Sequence, residues 1–376
     1  MNIILISSLI LFAHLANATN YCPNSFSSTC DPNTKYHPFG GFCNNLHTPT
    51  YGSVNSQFQR FLNPAYSDGV SSPRTLSVLP NTPLPNPRVI SSTLCQDNSL
   101  NSKYTTHLVA LLGQFIDHDI TSQTGTLVNG IRPSCPCNST DPNCFSVPIP
   151  SGDILPMSCM QFVRSAAAST ANPNCSTGFR EQINQLSSFL DGEPIYGSTL
   201  NQSLTLRQLT GGLLIVKSGV SADRPYLPQT SSSCSNINSS LKCFLAGERR
   251  VNENMGLTSL HTLWLREHNR IATVLAVNNP TWNDTILFME TRRIVVAAFQ
   301  HIVYKEFLAA ILQPFYYNSE KLAPLGNNGN NGKNGNQVPA IIDNNENQEP
   351  SIVDVDNNEE FSRQYDPTVI FKITDY

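Results

Sequence analysis

Charged residues are scarce in this chain of 376 residues, of which only 13% are Asp, Glu, Lys or Arg. The formal net charge is −4, which argues against a nucleic-acid-binding surface and against a basic membrane-binding face. Long apolar runs are lacking after the first 18 residues, so we expect no later segment to cross a bilayer. No His-Glu-x-x-His sequence occurs, and this absence argues against a zinc metalloprotease.

Cysteine is absent after Cys243, although the chain contains 11 cysteines. The densest cluster consists of Cys135, Cys137, Cys144, Cys159 and Cys175. This cluster lacks the paired Cys-x-x-Cys spacing that structural zinc sites use. We therefore predict disulfides, with Cys144–Cys159 and Cys234–Cys243 as plausible local loops. The odd total leaves at least one thiol unpaired, or paired between chains.

The start of the chain has the features of a secreted, extracellular protein. Residues 1–18 form a short apolar run that ends in Ala16-Asn17-Ala18, a small-x-small cleavage site, and we interpret them as a signal peptide. Every cysteine follows this site, in agreement with an oxidising compartment. Asn-x-Ser/Thr sequences predict glycosylation at Asn138, Asn174, Asn201, Asn238 and Asn283.

Local composition divides the remainder into three parts. Residues 19–100 are rich in Pro, Ser, Asn and Gly and predict an irregular arm, tied by disulfides, without regular elements. Residues 101–324 predict a mainly α-helical single core with little β-structure. Helices are predicted for residues 104–120, 179–189, 200–207, 256–277 and 285–312. Residues 325–376 form a low-complexity, Asn-rich and acidic tail, and disorder is expected from about 325 to 363.

The segment Gly113-Gln114-Phe115-Ile116-Asp117-His118-Asp119 carries the most chemistry. On a helix, Gln114, Asp117 and His118 stand at i, i+3 and i+4, so their side chains converge on one face. Burying these polar groups in an apolar run is costly unless they are needed there. The alternative is an amphipathic helix whose polar side faces water. A second segment with matching chemistry, Arg250-Val251-Asn252-Glu253, precedes the predicted helix at 256–277.

Together these two segments resemble the distal-side motifs of the animal haem peroxidases, the peroxidase–cyclooxygenase superfamily, and within it the secreted peroxinectin-like and chorion-peroxidase-like members. The resemblance extends from about residue 51 to about residue 311 and includes the run from Gln182 to Asp191 and Tyr196-Gly197-Ser198. It implies the distal, N-terminal half of that fold. It also implies a secreted enzyme that acts in the response to oxidative stress. Such an enzyme reduces hydrogen peroxide while it oxidises a small reductant or a tyrosine-bearing substrate. We expect no nucleic-acid partner and no transmembrane anchor, and the oligomeric state stays open.

The resemblance implies roles for five residues on the haem side. His118 matches the base that moves a proton between the peroxide oxygens, Arg250 matches the donor that stabilises the developing charge, and Gln114 lies beside them. Asp117 and Glu253 match the carboxylates that form ester bonds to haem b in relatives. The structural alternative is that Asp117 caps the helix or pairs with Arg250, and that Glu253 is solvated.

A calcium site is implied beside the same helix. The matching ligands are Asp119, Ser187, Phe189, Asp191 and Glu193, with Ser187 where Thr is usual and Glu193 where Ser is usual. The alternative is a loop aspartate near a turn. His261 and His268 are interpreted as core residues that satisfy local hydrogen bonds.

The resemblance breaks near the end of the sequence. Tyr365-Asp366-Pro367-Thr368-Val369 matches the segment upstream of the family's proximal histidine, but no Gly-His pair follows. We therefore expect a chain without the axial haem ligand. It would be a C-terminally truncated product of an alternative transcript, an incomplete gene model or a shortened isoform. The alternative function is a non-enzymatic secreted pseudo-peroxidase, an adhesive calcium-binding fragment.

Overall fold

The computed structural model describes residues 30–78, 82–95, 102, 105–168, 178–219, 221, 224–233 and 242–312. The predicted signal peptide, the low-complexity tail and the segment at 365–369 lie outside these residues. Internal contacts divide the chain into a unit that ends at Ile311 and a unit that starts at Leu312. The description below concerns the first unit.

Helices make up most of the regular structure in the described residues. They are α1 (Pro87–Leu94), α2 (His107–Ile120), α3 (Glu193–Tyr196), α4 (Leu200–Leu206), α5 (Met255–Asn278), α6 (Asp284–His301) and α7 (Leu308–Ile311). A π-helical segment, Ile302–Phe307, joins α6 to α7, and 3-10 turns lie at Phe39–Gly41 and Arg249–Asn252. The strands form two short antiparallel pairs: β1 (Val147–Pro148) with β2 (Cys159–Met160), and β3 (Gln229–Ser233) with β4 (Lys242–Phe244). The predicted mainly helical fold with little β-structure is confirmed.

Helix α5 packs against both α2 and α6, and these three helices form the core beneath the candidate site. The side chain of Asn254 caps α5 by accepting a hydrogen bond from the backbone N–H of Leu257 (2.8 Å). Phe115 of α2 and Trp264 of α5 each meet Phe299 of α6 edge to face, with ring centroids 5.7 Å apart. These three buried rings fix the relative positions of the helices.

The first turn of α5 lies very close to α2 because residue 256 is glycine. A Cβ atom at Gly256 would stand 2.5 Å from Leu111 Cδ1, closer than side chains pack. This approach brings Glu253 and Asn254, at the start of α5, to the side chain of Gln114 on α2.

Four of the five predicted helices are present, with ends shifted by one to three residues or, at 285–312, with an inserted π-helical segment. The helix predicted at 179–189 is wrong. There the chain pairs with other segments at Gln182 and Ile183 and then bends between 185 and 189. The N–H of Phe58 donates to Gln182 O (2.9 Å), and the N–H of Ala168 donates to Glu181 O (2.8 Å). Backbone partners on both sides therefore replace the internal hydrogen bonds that a helix would make.

The predicted arm at 19–100 is irregular in most of its described part, but Pro87–Leu94 forms α1, which corrects the prediction. Asn86 caps this helix by accepting from the N–H of Arg88 (2.7 Å), and Pro87 presets the first helical φ. Arg88 then makes a bidentate pair with Asp153 (2.7 and 2.9 Å). The disulfide Cys30–Cys43 ties the arm, as expected.

The cysteine cluster pairs differently from the prediction. Its disulfides are Cys135–Cys144 and Cys137–Cys159, so the predicted Cys144–Cys159 pair is wrong. In the antiparallel register, Cys159 lies opposite Pro148 and Cys144 lies opposite Val163. Cys144 and Cys159 are thus four positions out of register (148 − 144), or roughly 13 Å along the strands, too far for a disulfide.

Two other cysteines bear on the prediction. Cys243 forms a disulfide, but its predicted partner Cys234 lies outside the described residues. Cys95, which directly follows α1, is a free and exposed thiol. An unpaired thiol is consistent with the odd number of cysteines.

The run from Asp284 to Ile311 corrects the expectation that no later segment is long and apolar enough to cross a bilayer. Its 28 residues suffice for that by length and composition alone. Phe288, Val295 and Phe299 on this run are fully buried in the fold, although only 17% of its most apolar stretch of 18 residues is buried.

Candidate functional site

The site begins with His118, which is buried on α2 between two glutamates. Its Nδ1 atom lies 3.5 Å from Glu248 Oε2, and its Nε2 atom lies 3.7 Å from Glu253 Oε2. Burial lowers the pKa of His118, and the nearby positive charge of Arg250 lowers it further. The imidazole is therefore neutral near neutral pH and can accept a proton.

The guanidinium of Arg250 is tied on two sides. Its Nε donates to Glu248 Oε1 (2.7 Å), and its Nη2 donates to the backbone carbonyl of Thr121 at the end of α2 (2.7 Å). Its Nη1 lies 3.7 Å from Asp117 Oδ2. The structure thus places His118 and Arg250 against the same carboxylate, that of Glu248, although they are far apart in sequence.

Asp117 and Glu253 are about half exposed, with side-chain exposures of 56% and 48%. Gln114 links the second of them to α5: its Nε2 donates to Glu253 Oε2 (3.1 Å), and its Oε1 accepts from Asn254 Nδ2 (2.9 Å). Asp117 accepts a hydrogen bond from Thr121 Oγ1 (2.6 Å). The structural alternative for Asp117, a pair with Arg250, is thus also compatible with the geometry.

A second cluster consists of three carboxylates, Asp119 of α2 with Asp191 and Glu193 near the start of α3. Asp119 is fully buried and accepts hydrogen bonds from the N–H groups of Glu193 (2.7 Å) and Gly192 (3.4 Å). Burial raises the pKa of Asp119 well above its ordinary value, and the charges of Asp191 and Glu193 raise it further. Burial is also the main reason that the pKa of Asp191 rises to about 6 and that of Glu193 to about 8. Such crowding of buried anions is unfavourable unless a cation relieves it.

The atoms of this cluster are hard oxygens of the kind that calcium prefers. Ser187 Oγ donates to Asp191 Oδ2 (3.0 Å) and lies 3.4 Å from the carbonyl oxygen of Phe189. Asp191 Oδ1 and Glu193 Oε1 are buried without a hydrogen-bond partner. Within the described ranges, no group of three His, Cys, Asp or Glu side chains is close enough to hold a metal by itself. A bound calcium would therefore need the hydroxyl and carbonyl oxygens as well.

The sequence analysis did not identify Arg292 of α6, the positively charged side chain whose charge acts on this cluster. Burial lowers the pKa of Arg292, whereas its positive charge lowers the pKa values of Asp191 and Glu193. Its Nη1 donates to the carbonyl of His37 in the arm (2.8 Å). No local motif marks Arg292, since it reaches the carboxylates only through the packing of α6.

The two core histidines differ. His268 satisfies its hydrogen bonds as predicted: Nδ1 lies 2.9 Å from the hydroxyl of Tyr196, and Nε2 lies 2.9 Å from Gly212 O. The same prediction is wrong for His261, whose ring nitrogens are buried without a hydrogen-bond partner. Its ring packs instead against Phe115, at 4.9 Å between centroids, because it faces the apolar contact between α2 and α5.

Glu248 was also missed from the sequence. It is 3% exposed and contacts both His118 and Arg250. The only available signal was its position two residues before Arg250.

The chain as a whole matches a known class of protein. The animal haem peroxidase model matches residues 36–354, and the chain belongs to that family. It is 38% identical over 334 residues to the peroxidasin homolog of Homo sapiens, covering 81% of this chain and 22% of the relative. It is 34% identical over 299 residues to the chorion peroxidase of Aedes aegypti, covering 75% of this chain and 37% of the relative. The chain therefore spans well under half the length of these relatives.

Solved structures agree with this assignment. Peroxidase A from Dictyostelium discoideum is similar with a TM-score of 0.58 and 27% identity, covering 73% of this chain and 53% of that structure. The fatty acid alpha-dioxygenase of Oryza sativa has a TM-score of 0.56 at 19% identity, covering 82% of this chain and 45% of that structure. The second likeness concerns the fold alone.

Proposed function

We propose that this chain supplies the distal half of a secreted haem peroxidase, which reduces hydrogen peroxide and oxidises a donor substrate. The supporting observation is the shared contact of His118 and Arg250 with Glu248, next to the half-exposed Asp117 and Glu253. A neutral imidazole and a fixed guanidinium in one place are the two groups that peroxide cleavage requires of the protein.

The residues on this face fit the distal side of haem b, the cofactor that the family implies. Two carboxylates, Asp117 and Glu253, are accessible on the side of the buried His118 and Arg250, and they would hold the porphyrin edge by ester bonds. Asn254 follows Glu253 at the position where one branch of the family forms a sulfonium bond through Met, so we propose no third link. Haem, when bound, would supply the iron that exchanges electrons with peroxide.

His118 would move the proton. Its Nε2 lies on the side of Glu253 and the exposed face, whereas Nδ1 faces the buried Glu248. Nε2 would therefore take a proton from one peroxide oxygen and return it to the other. The lowered pKa of His118 keeps this nitrogen available as a base.

Arg250 would stabilise the negative charge that develops on the peroxide oxygens. Its Nε and Nη2 are occupied by Glu248 and Thr121, whereas Nη1 has only a longer contact of 3.7 Å with Asp117 Oδ2, so Nη1 would be the group that turns to substrate. Gln114, held by Glu253 and Asn254, would orient peroxide or a water molecule nearby.

The experiment compares the purified wild-type chain with His118→Ala and with His47→Ala, a matched surface histidine. Haemin is added and the Soret band is recorded, and guaiacol oxidation by hydrogen peroxide is then measured. We expect His118→Ala to retain the Soret band but to lose turnover by about 10²- to 10⁴-fold, as for loss of a general base. His47→Ala should behave as wild type. Normal turnover in His118→Ala would refute the proton-transfer role.

A second candidate function is a non-enzymatic secreted protein stabilised by calcium. The crowded carboxylates Asp119, Asp191 and Glu193 favour it, together with Ser187 and Phe189 as further oxygen donors. We propose that these five residues bind calcium under either function. Calcium-dependent stability in a wild-type chain that gives no Soret band and no guaiacol oxidation would favour the non-enzymatic candidate.

A further inference from the structure

We infer that Glu248 is a positioning residue, whose buried carboxylate sets the direction of the Arg250 guanidinium. The inference rests on the proposed function in one respect only, namely that Arg250 acts on peroxide. Glu248 itself lies one layer behind the exposed face and would touch neither peroxide nor haem.

Glu248 holds Arg250 at two points. Its Oε1 accepts from the guanidinium Nε (2.7 Å), and its Oε2 accepts from the backbone N–H of the same residue (2.8 Å). One carboxylate therefore fixes both the start of the Arg249–Asn252 turn and the far end of the arginine side chain. With Nη2 bound to Thr121 O, the guanidinium cannot rotate without breaking a charge-assisted hydrogen bond.

The backbone next to Glu248 is held in place by a close contact with α3. Gly247 lies so close to α3 that a Cβ atom there would stand 2.1 Å from the carbonyl oxygen of Glu193. The backbone that carries Glu248 thus has little freedom to shift. The side chain of Glu248 is only 3% exposed, so water cannot replace it as the partner of Arg250.

A neutral amide could not do the same work. Both oxygens of Glu248 accept from N–H groups, and a glutamine would present an NH₂ group to one of those donors. The carboxylate of Glu248 also lies 3.5 Å from His118 Nδ1, which has no hydrogen-bond partner in the described part of the chain, so the hydrogen bonds of Glu248 are directed to Arg250 alone.

The test measures the direction of the guanidinium without haem. Phenylglyoxal reacts with accessible arginine side chains, and mass spectrometry of the full chain gives the labelling rate of each arginine. Glu248→Gln is compared with wild type and with Glu181→Gln, a matched control. Glu181 is also buried, at 5% side-chain exposure, and accepts from Arg60 Nε at 2.7 Å. A second readout is kcat/KM for hydrogen peroxide in haem-loaded chains, with the KM for guaiacol recorded beside it.

We expect Glu248→Gln to raise the labelling rate of Arg250 at least threefold and to leave that of Arg60 unchanged. Glu181→Gln should do the reverse. In haem-loaded chains, kcat/KM for peroxide should fall at least tenfold in Glu248→Gln while the KM for guaiacol stays constant.

An unchanged Arg250 labelling rate in Glu248→Gln overturns the inference. If every arginine labels faster because that variant unfolds, Glu248→Asp decides, since it keeps the charge but is too short to reach both N–H groups. Faster labelling of Arg250 alone in Glu248→Asp supports the inference, and a wild-type rate overturns it. An inactive wild-type chain would count against the proposed function but leaves the labelling result valid.

Discussion

At the scale of single residues, His268 is the clearest case of a buried group whose charge state affects stability. It is fully buried between Tyr196 of α3 and Phe288 of α6, and it bonds the tyrosine hydroxyl and Gly212 O. Burial lowers the pKa of His268 to about 4, and the charge of Arg207 acts in the same direction. The folded protein therefore keeps this imidazole neutral at pH values where the unfolded chain protonates it.

This difference predicts acid destabilisation. Between pH 6.5 and about 4 the unfolded state binds the proton more readily, so the free energy of unfolding falls as the pH falls through that range. The pKa difference, 6.5 minus about 4, corresponds to about 3 kcal/mol. Urea denaturation at pH 7 and pH 4 should show a loss smaller by about that amount in His268→Gln, which cannot titrate in this range. Equal losses in the variant and the wild type would contradict the prediction.

The site residues differ in how well the sequence alone predicts that they lie together. Gln114, Asp117 and His118 share one helix face, so their convergence follows from spacing alone. Arg250 and Glu253 were tied to them only by family resemblance, and their roles stay predictions. Glu248 could not be anticipated, because its place depends on how one turn packs against α3 and α2.

At the scale of elements, Gly247 marks the tightest contact between the turn that carries Glu248 and α3. A Cβ atom there would lie 2.1 Å from Glu193 O and 2.4 Å from the N atom of Gly197, both of them backbone atoms that cannot move aside. Gly125 offers a matched contrast, because its Cβ would meet only Val163 Cγ1 at 3.6 Å, an ordinary contact.

We predict that Gly247→Ala destabilises the fold by about 3 kcal/mol or more, the upper range for overpacking. Gly125→Ala should change stability by less than about 1 kcal/mol. The measurement is the midpoint of chemical denaturation, followed by circular dichroism of the helices. If both variants unfold at the same denaturant concentration, that result contradicts the prediction that Gly247 has no room for a Cβ atom.

The elements that were predicted correctly are those whose partners are local. The periodicity of α2 and α5 follows from the sequence because a helix satisfies its own backbone. The helix prediction at 179–189 is wrong because the hydrogen-bond partners of this segment, such as Phe58 and Ala168, lie outside it in the sequence. The predicted Cys144–Cys159 disulfide is wrong for the same reason, since the actual pairing depends on a strand register that the spacing of cysteines does not reveal.

At the scale of the whole molecule, the carboxylate cluster joins segments that are remote in sequence. Asp119 lies in the last turn of α2, Asp191 precedes α3 and Glu193 begins it. Arg292 belongs to α6 and contacts the arm through the carbonyl of His37. A cation at this cluster would therefore stabilise several elements together, because it would bind the folded chain and offset the cost of burying charged carboxylates.

Calcium should stabilise the wild-type chain for this reason. At a free concentration 100 times its Kd, a ligand adds about 2.7 kcal/mol, which is about 5–10 °C in Tm for a domain of this size. Thermal unfolding with excess calcium and with EGTA measures the difference, and Asp119→Asn should abolish it. Asp153→Asn, which removes a buried carboxylate paired with Arg88 elsewhere, should retain it.

The size of the effect in EGTA distinguishes a binding site from a purely structural carboxyl. Burial and its two acidic neighbours raise the pKa of Asp119, so its negative charge adds no stability when no cation is present. In EGTA, Asp119→Asn should therefore lose only part of the hydrogen bonding to the N–H groups of Glu193 and Gly192, whereas in calcium it should also lose a ligand. An equal stability difference between the variant and wild type in both conditions would contradict calcium binding at this cluster.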